Sequence, residues 1–216
     1  MLRLTDAFAL LGICVVLCAG LIGLLTAWRA ADARAAWVKV LAALGFVLLW
    51  VPVGATNIPV VAYARGLTGD LSVTLVMLAV WRVGRLVLKG RAIAQREQIA
   101  LMAAVAVAAL FLYPLALGWG DWDAYRPGWG SWGMLLALLV LCAVCWAANL
   151  QVLPALVATA LLAWSLGLLE SGNLWDYLLD PWLSIYALAY VVHKVAHKVG
   201  RKVFIKCAQA VMARFR

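Results

Sequence analysis

Two arginines and six carboxylates fall within three polar stretches of a chain that is otherwise apolar. The stretches are TNIPVVAYARGLTGDLS (56–72), YPLALGWGDWDAYRPGWGSW (113–132) and ESGNLWDYLLDPWL (170–183). Asp70, Asp121, Asp123 and Asp176 are the candidate acids, bases or cation-binding groups, since paired carboxylates can move protons. Arg65 and Arg126 are the candidate anion-binding pair, because a planar guanidinium matches phosphate geometry. The alternative role for Arg65 is a structural salt bridge to Asp70 or Asp176. Asn57, Asn173, Trp122 and Trp175 add amide and indole groups to the candidate ligand-binding set.

Asp121 and Asp123 have a spacing that could hold a divalent cation, yet the six to eight oxygens of a calcium loop are missing. His193 and His197, at i and i+4, share a helical face without the glutamate of a zinc hydrolase motif. No metal and no cofactor are assigned. Trp119, Trp122, Trp129 and Trp132 surround the Asp pair and suit a membrane interface, a sugar or a lipid headgroup. The repeated GWG (118–120 and 128–130) reads as a symmetric turn. Cys142 and Cys145 have redox spacing but lie in an apolar helix with no charge to stabilise a thiolate.

The elements that must position these residues are membrane-grade. The chain has 216 residues, 68% hydrophobic and 12% charged, against roughly 45–50% and about 25% in soluble domains. Apolar runs predict an all-α, polytopic membrane bundle of about seven helices: 7–28, 37–55, 71–88, 99–117, 133–149, 153–169 and 178–197. As one helix, residues 133–169 would extend about 55 Å, so NLQVLP (149–154) is read as a hairpin break at Pro154. Residues 1–197 form the transmembrane domain in this reading, and 198–216 a basic amphipathic cytoplasmic tail.

Fifteen of the eighteen Lys and Arg lie in the 29–39 and 82–96 connections or from Lys194 onward. The basic-rich side is cytoplasmic by the positive-inside rule, which puts the amino terminus outside and the carboxyl terminus inside. The same placement accounts for the net charge of +9 without nucleic acid, for which no recognition motif exists. All three polar stretches then face outward.

Only 11 residues separate Asp70 from Arg82, and 12 separate Asp180 from His193. Such short spans imply either local thinning of the bilayer or, as favoured here, polar segments that dip into the outer leaflet as non-helical backbone around a protein-lined pocket. Gly66 and Gly69 would break the chain, Asp70 would cap a helix starting at Leu71, and Asp180–Pro181 would start the last helix.

The functional expectation is a bacterial inner-membrane protein. Its periplasm-facing polar pocket would bind or process a phosphate- or sugar-bearing lipid headgroup in envelope biogenesis. The alternative is a non-enzymatic scaffold or accessory subunit. Membrane lipids are the expected partners, with an envelope protein docking on the outer loops or the basic tail.

Overall fold

The computed structural model describes residues 3–29, 36–88 and 92–214. Among them are nine α-helices and one two-stranded ribbon. The first two helices are α1 (Leu4–Arg29) and α2 (Ala36–Leu49). Proline then intervenes. Pro52 has no N–H and disfavours helical geometry before it, so α2 stops well short of residue 55. The chain instead forms β1 (Pro52–Val53) and β2 (Ile58–Pro59), antiparallel, with Val53 opposite Ile58. Asn57 takes a left-handed φ of 51° in their turn.

The segment expected to be non-helical is largely helical: α3 spans Val60–Thr68 and ends at Gly69, whose φ is 68°. It thus satisfies its own backbone, and buried Val61 seats it on α1. Next come α4 (Val73–Leu88) and α5 (Gln95–Ala116). A 3₁₀ turn (Arg126–Trp129) leads to α6 (Trp132–Ala147) and α7 (Val152–Ser165). The five-residue α8 (Leu174–Leu178) precedes α9 (Pro181–Arg214). Residues 198–214 are helical and continue α9. The amphipathic face expected of them falls on side chains outside those described. Two helices, Leu4–Thr26 and Gln95–Ala116, are long and apolar enough to cross a membrane by length and composition.

Three helices end in the same hydrogen-bond pattern. After α5, α6 and α7, residues Gly118, Asn149 and Gly167 adopt left-handed φ values of 90°, 55° and 61°. In each case the next amide reaches back to a carbonyl of the final turn: Trp119 to Pro114, Leu150 to Cys145, and Leu168 to Ala163. This closure satisfies carbonyls that would otherwise be orphaned. Asn149, and not Pro154, therefore breaks the 133–169 run. Pro154 sits in the first turn of α7, where the missing N–H had no partner to lose.

Packing runs through α5 against α9, α1 against α2 and α4, and α7 against both α4 and α6. Gly12 lets α1 approach α4, since a Cβ there would lie 2.9 Å from a Val76 methyl. The main core gathers Leu101, Val105, Leu156, Ala160, Tyr177 and Leu183.

One carboxylate joins two helix starts. Asp180 is 4% exposed. Its Oδ1 accepts the Leu183 amide at 2.8 Å, capping α9 as the Asp180–Pro181 pair predicts. Its Oδ2 accepts the Ser72 amide at 3.0 Å and the Ser72 hydroxyl at 2.5 Å. Ser72 Oγ in turn accepts the Leu75 amide at 3.2 Å. The cap of α4 is thus Ser72, and the helix begins at Val73, not Leu71; Asp70 is engaged elsewhere.

Asp180→Ala is expected to destabilise the fold by about 2–4 kcal/mol, the loss of a cap plus buried amides left unpaired. Ser72→Ala should cost about 1–2 kcal/mol. Equilibrium unfolding in mixed detergent should show the double variant losing less than the sum, because both substitutions break one network.

Candidate functional site

The polar residues converge on one end of the bundle. The start of α1, the α3–α4 link and the segment after α7 meet at Arg65, which takes three carboxylates at once. Its Nη1 donates to Asp6 at 2.7 Å, its Nε to Asp70 at 2.8 Å and its Nη2 to Glu170 at 2.9 Å. Asp70, then Asp6, hold this guanidinium charged above even its high ordinary value. Of the two sequence-expected partners, Asp70 is present and Asp176 is not. With all three nitrogens engaged, Arg65 is a clamp between segments, and none of the described cavities is lined by both Arg65 and Arg126.

The second polar stretch docks on the third. Asn173 is fully buried. Its amide nitrogen donates to the Tyr125 carbonyl at 3.0 Å, and its oxygen accepts the Trp175 amide at 2.9 Å, capping α8. The Trp175 indole donates to the Ala124 carbonyl at 3.0 Å. Gly128 allows the approach: a Cβ there would collide with the Asn173 side chain and lie 2.7 Å from the Trp175 ring. Asn173 and Trp175 therefore hold the loop in place. The two GWG repeats are not symmetric, because Gly118, Gly120 and Gly130 have left-handed φ whereas Gly128 is the close-approach position.

Around this dock lie three neighbouring hollows. The first, about 360 Å³, is lined by Asp70, Asp176, Asp180, Tyr113 and Tyr125 among others. Tyr125 donates its hydroxyl to Asp176 Oδ2 at 2.6 Å. Burial, followed by that carboxylate, pushes the Tyr125 phenol above its ordinary pKa, so it stays a proton donor. Tyr125 is also a wall of the second hollow, with Asp121, Trp122 and Asp123. Trp122 and Asp123 continue into the third, which holds Arg126, Pro127 and Trp129. Asp123 Oδ1 accepts the Tyr125 and Arg126 amides at 2.9 and 3.2 Å, fixing the turn.

Seven of the ten expected site residues thus line this trough of adjoining hollows: Asp70, Asp121, Asp123, Asp176, Arg126, Trp122 and Trp175. Asn57 lies exposed in the β-turn and lines none of the hollows, and Asn173 is buried beneath them. Sequence reading assigned no role to Tyr113 and did not pair Tyr125 with Asp176, or Asp6 and Glu170 with Arg65. For Tyr125, the signal was a phenol within four residues of two aspartates. Among the described residues no three His, Cys, Asp or Glu gather as a metal-binding group. No family model, curated protein or solved structure matches the chain.

Replacing Arg65 by Ala should lower thermal stability more than Asp70→Asn, and Asp70→Asn more than Glu170→Gln. The reason is that Glu170 is mostly exposed, where ion pairs contribute little, whereas the alanine leaves three carboxylates facing one another. Melting curves of the three purified variants check the order.

A pH series tests Tyr125. Its folded form keeps the proton, while the unfolded chain releases it near pH ~10. Its contribution is therefore complete below that pH and is lost as pH rises further. Tyr125→Phe should cost about 1 kcal/mol at neutral pH and flatten the alkaline limb of the stability profile.

Proposed function

We propose that this chain is a multi-pass protein of a bacterial cytoplasmic membrane, with about seven spans, its amino terminus outside and its carboxyl terminus inside. Large exposed side chains on the helices support immersion. They include Val40, Leu44 and Val47 on α2, Val107 and Leu110 on α5, and Leu136, Leu139 and Val144 on α6. A water-soluble monomer rarely exposes apolar patches of this extent. The basic residues at the opposite end of the helices support the orientation.

In this reading the trough faces the periplasm and binds the headgroup of a phosphate- or sugar-bearing lipid during envelope biogenesis. The observation that carries it is the adjacency of three hollows that share Tyr125, Trp122 and Asp123 as walls. Arg126 supplies the cation, Asp70, Asp121 and Asp123 accept hydroxyls or amines, and Trp122 and Trp129 stack. Asp176 and Tyr125, 2.6 Å apart, are the pair placed to pass a proton. A second reading, a non-enzymatic scaffold or accessory subunit, is favoured by the complete engagement of Arg65 and by exposed Trp119, Trp129 and Trp132 as a docking face.

Gentle extraction followed by mass spectrometry separates the two. A lipid that copurifies with the chain and falls at least ~10-fold in Arg126→Gln or Asp176→Asn supports the headgroup site, each tenfold being about 1.4 kcal/mol. A stoichiometric protein partner with no specific lipid makes the chain a scaffold. For orientation, a membrane-impermeant maleimide should label a Trp129→Cys variant in spheroplasts and leave native Cys207 unlabelled until the membrane is opened.

A further inference from the structure

The helices α5 and α6 do not pack closely on each other, although each packs on α7. Between them is an apolar slit of about 490 Å³, within the range of ligand sites. Ala104 and Ala108 of α5 and Ala137 and Leu138 of α6 line it, over a floor of Leu156 from α7. An unfilled slit between helices forfeits the dispersion contacts that hold such helices together. An aliphatic chain restores them.

The slit has a polar mouth. Its walls include Trp122, Pro127 and Ser131, which also line the hollow holding Arg126 and Asp123. Phe111 and Trp122, with ring centroids 5.5 Å apart, roof the junction. Arg126 has no carboxylate partner among the described residues, and its guanidinium is exposed. Asp123 uses one oxygen on the turn amides, and Asp121 makes no hydrogen bond among the described residues. Arg126 and Asp123 therefore line a hollow that shares Trp122 with the apolar slit, and Asp121 joins Asp123 and Trp122 in the adjoining hollow.

We infer that this slit and its mouth bind a zwitterionic phospholipid with a primary amine, its phosphate on Arg126, its ammonium on Asp121 and Asp123, and an acyl chain between α5 and α6. Bidentate donors suit the phosphate. Three N–H donors of a primary ammonium suit carboxylates better than a quaternary amine does, and the Trp122 face adds cation–π attraction. The inference rests on the headgroup reading above and names its ligand class.

The test uses the full chain in nanodiscs of dioleoylphosphatidylcholine containing a minority of dioleoylphosphatidylethanolamine or dioleoylphosphatidylglycerol, with retained lipid counted by native mass spectrometry. Retention of one phosphatidylethanolamine per chain, preferred at least ~10-fold over the other two, is expected. Arg126→Gln and the Asp121→Asn/Asp123→Asn pair should each abolish the preference, and Ala108→Phe or Ala137→Phe should abolish retention. Because filled-slit variants can misfold, the native chain is also crosslinked with a phosphatidylethanolamine bearing a diazirine on one acyl chain. Labelled peptides should map to α5 and α6 around Ala108 and Ala137.

Equal retention of phosphatidylglycerol overturns the amine assignment. Label confined to the outward faces of α2 or α6, or free phosphoethanolamine binding as tightly as the lipid, overturns the chain site. A different lipid retained through Asp176 leaves the headgroup reading standing and sinks this one. Phosphatidylethanolamine retained through Arg126 and Ala137 but unaffected by Asp176→Asn upholds this inference and removes only the Asp176–Tyr125 pair from the headgroup reading.

Discussion

Two helix amino termini, each with unsatisfied amides and a partial positive charge, face a single buried carboxylate. Asp180 neutralises both, directly for α9 and directly and through the Ser72 hydroxyl for α4. Few arrangements fix two helices relative to each other so narrowly, because the partners are backbone groups that cannot swing away. Tyr177, Leu178 and Leu179 of the adjacent segment are buried, and Tyr177 accepts the Leu169 amide at 3.1 Å. The floor of the acidic hollow is thus set by groups committed to capping, and the more accessible residues around it are those left with capacity for a ligand.

This division of labour separates the charged residues into two kinds. Arg65 ties Asp70, Asp6 and Glu170 together across three segments, while Asp180 is committed to helix ends. Arg126, Asp121 and Asp123 have side-chain groups that no other described side chain neutralises. In a chain with so few charges, Arg126 differs from Arg65 less in its depth than in having no carboxylate counter-ion among the described residues.

The sequence carried the all-helical character, because the apolar runs are unambiguous, although only two of the described helices, Leu4–Thr26 and Gln95–Ala116, are long and apolar enough to cross a membrane. Asp180–Pro181 as the start of α9 was legible for the same local reason: both residues act within one turn. Asp70 as a cap was not correct, since the choice between Asp70 and Ser72 is made by Arg65 and Asp180, which lie far away in the chain for at least one of the contacts. Asn149 as the helix stop was overshadowed by Pro154, a stronger breaker in principle that sits where a helix tolerates it. The three-way engagement of Arg65 depends on Asp6, 59 positions earlier, and Glu170, 105 positions later. No local pattern announces such contacts.

The separation of Ser72 from Asp180, 108 positions, has a consequence for how the molecule is made. During synthesis, α4 emerges long before the group that completes its first turn, and the intervening helices are laid down beside an unfinished neighbour. Closing so long a loop carries an entropic cost that is met only when α9 arrives with its own amide ready for the same carboxylate. Final docking of the last helix is therefore also the event that anchors the start of the fourth, so a nascent chain ending before residue 180 can cap α4 through Ser72 but lacks the carboxylate that pairs the Ser72 amide and hydroxyl.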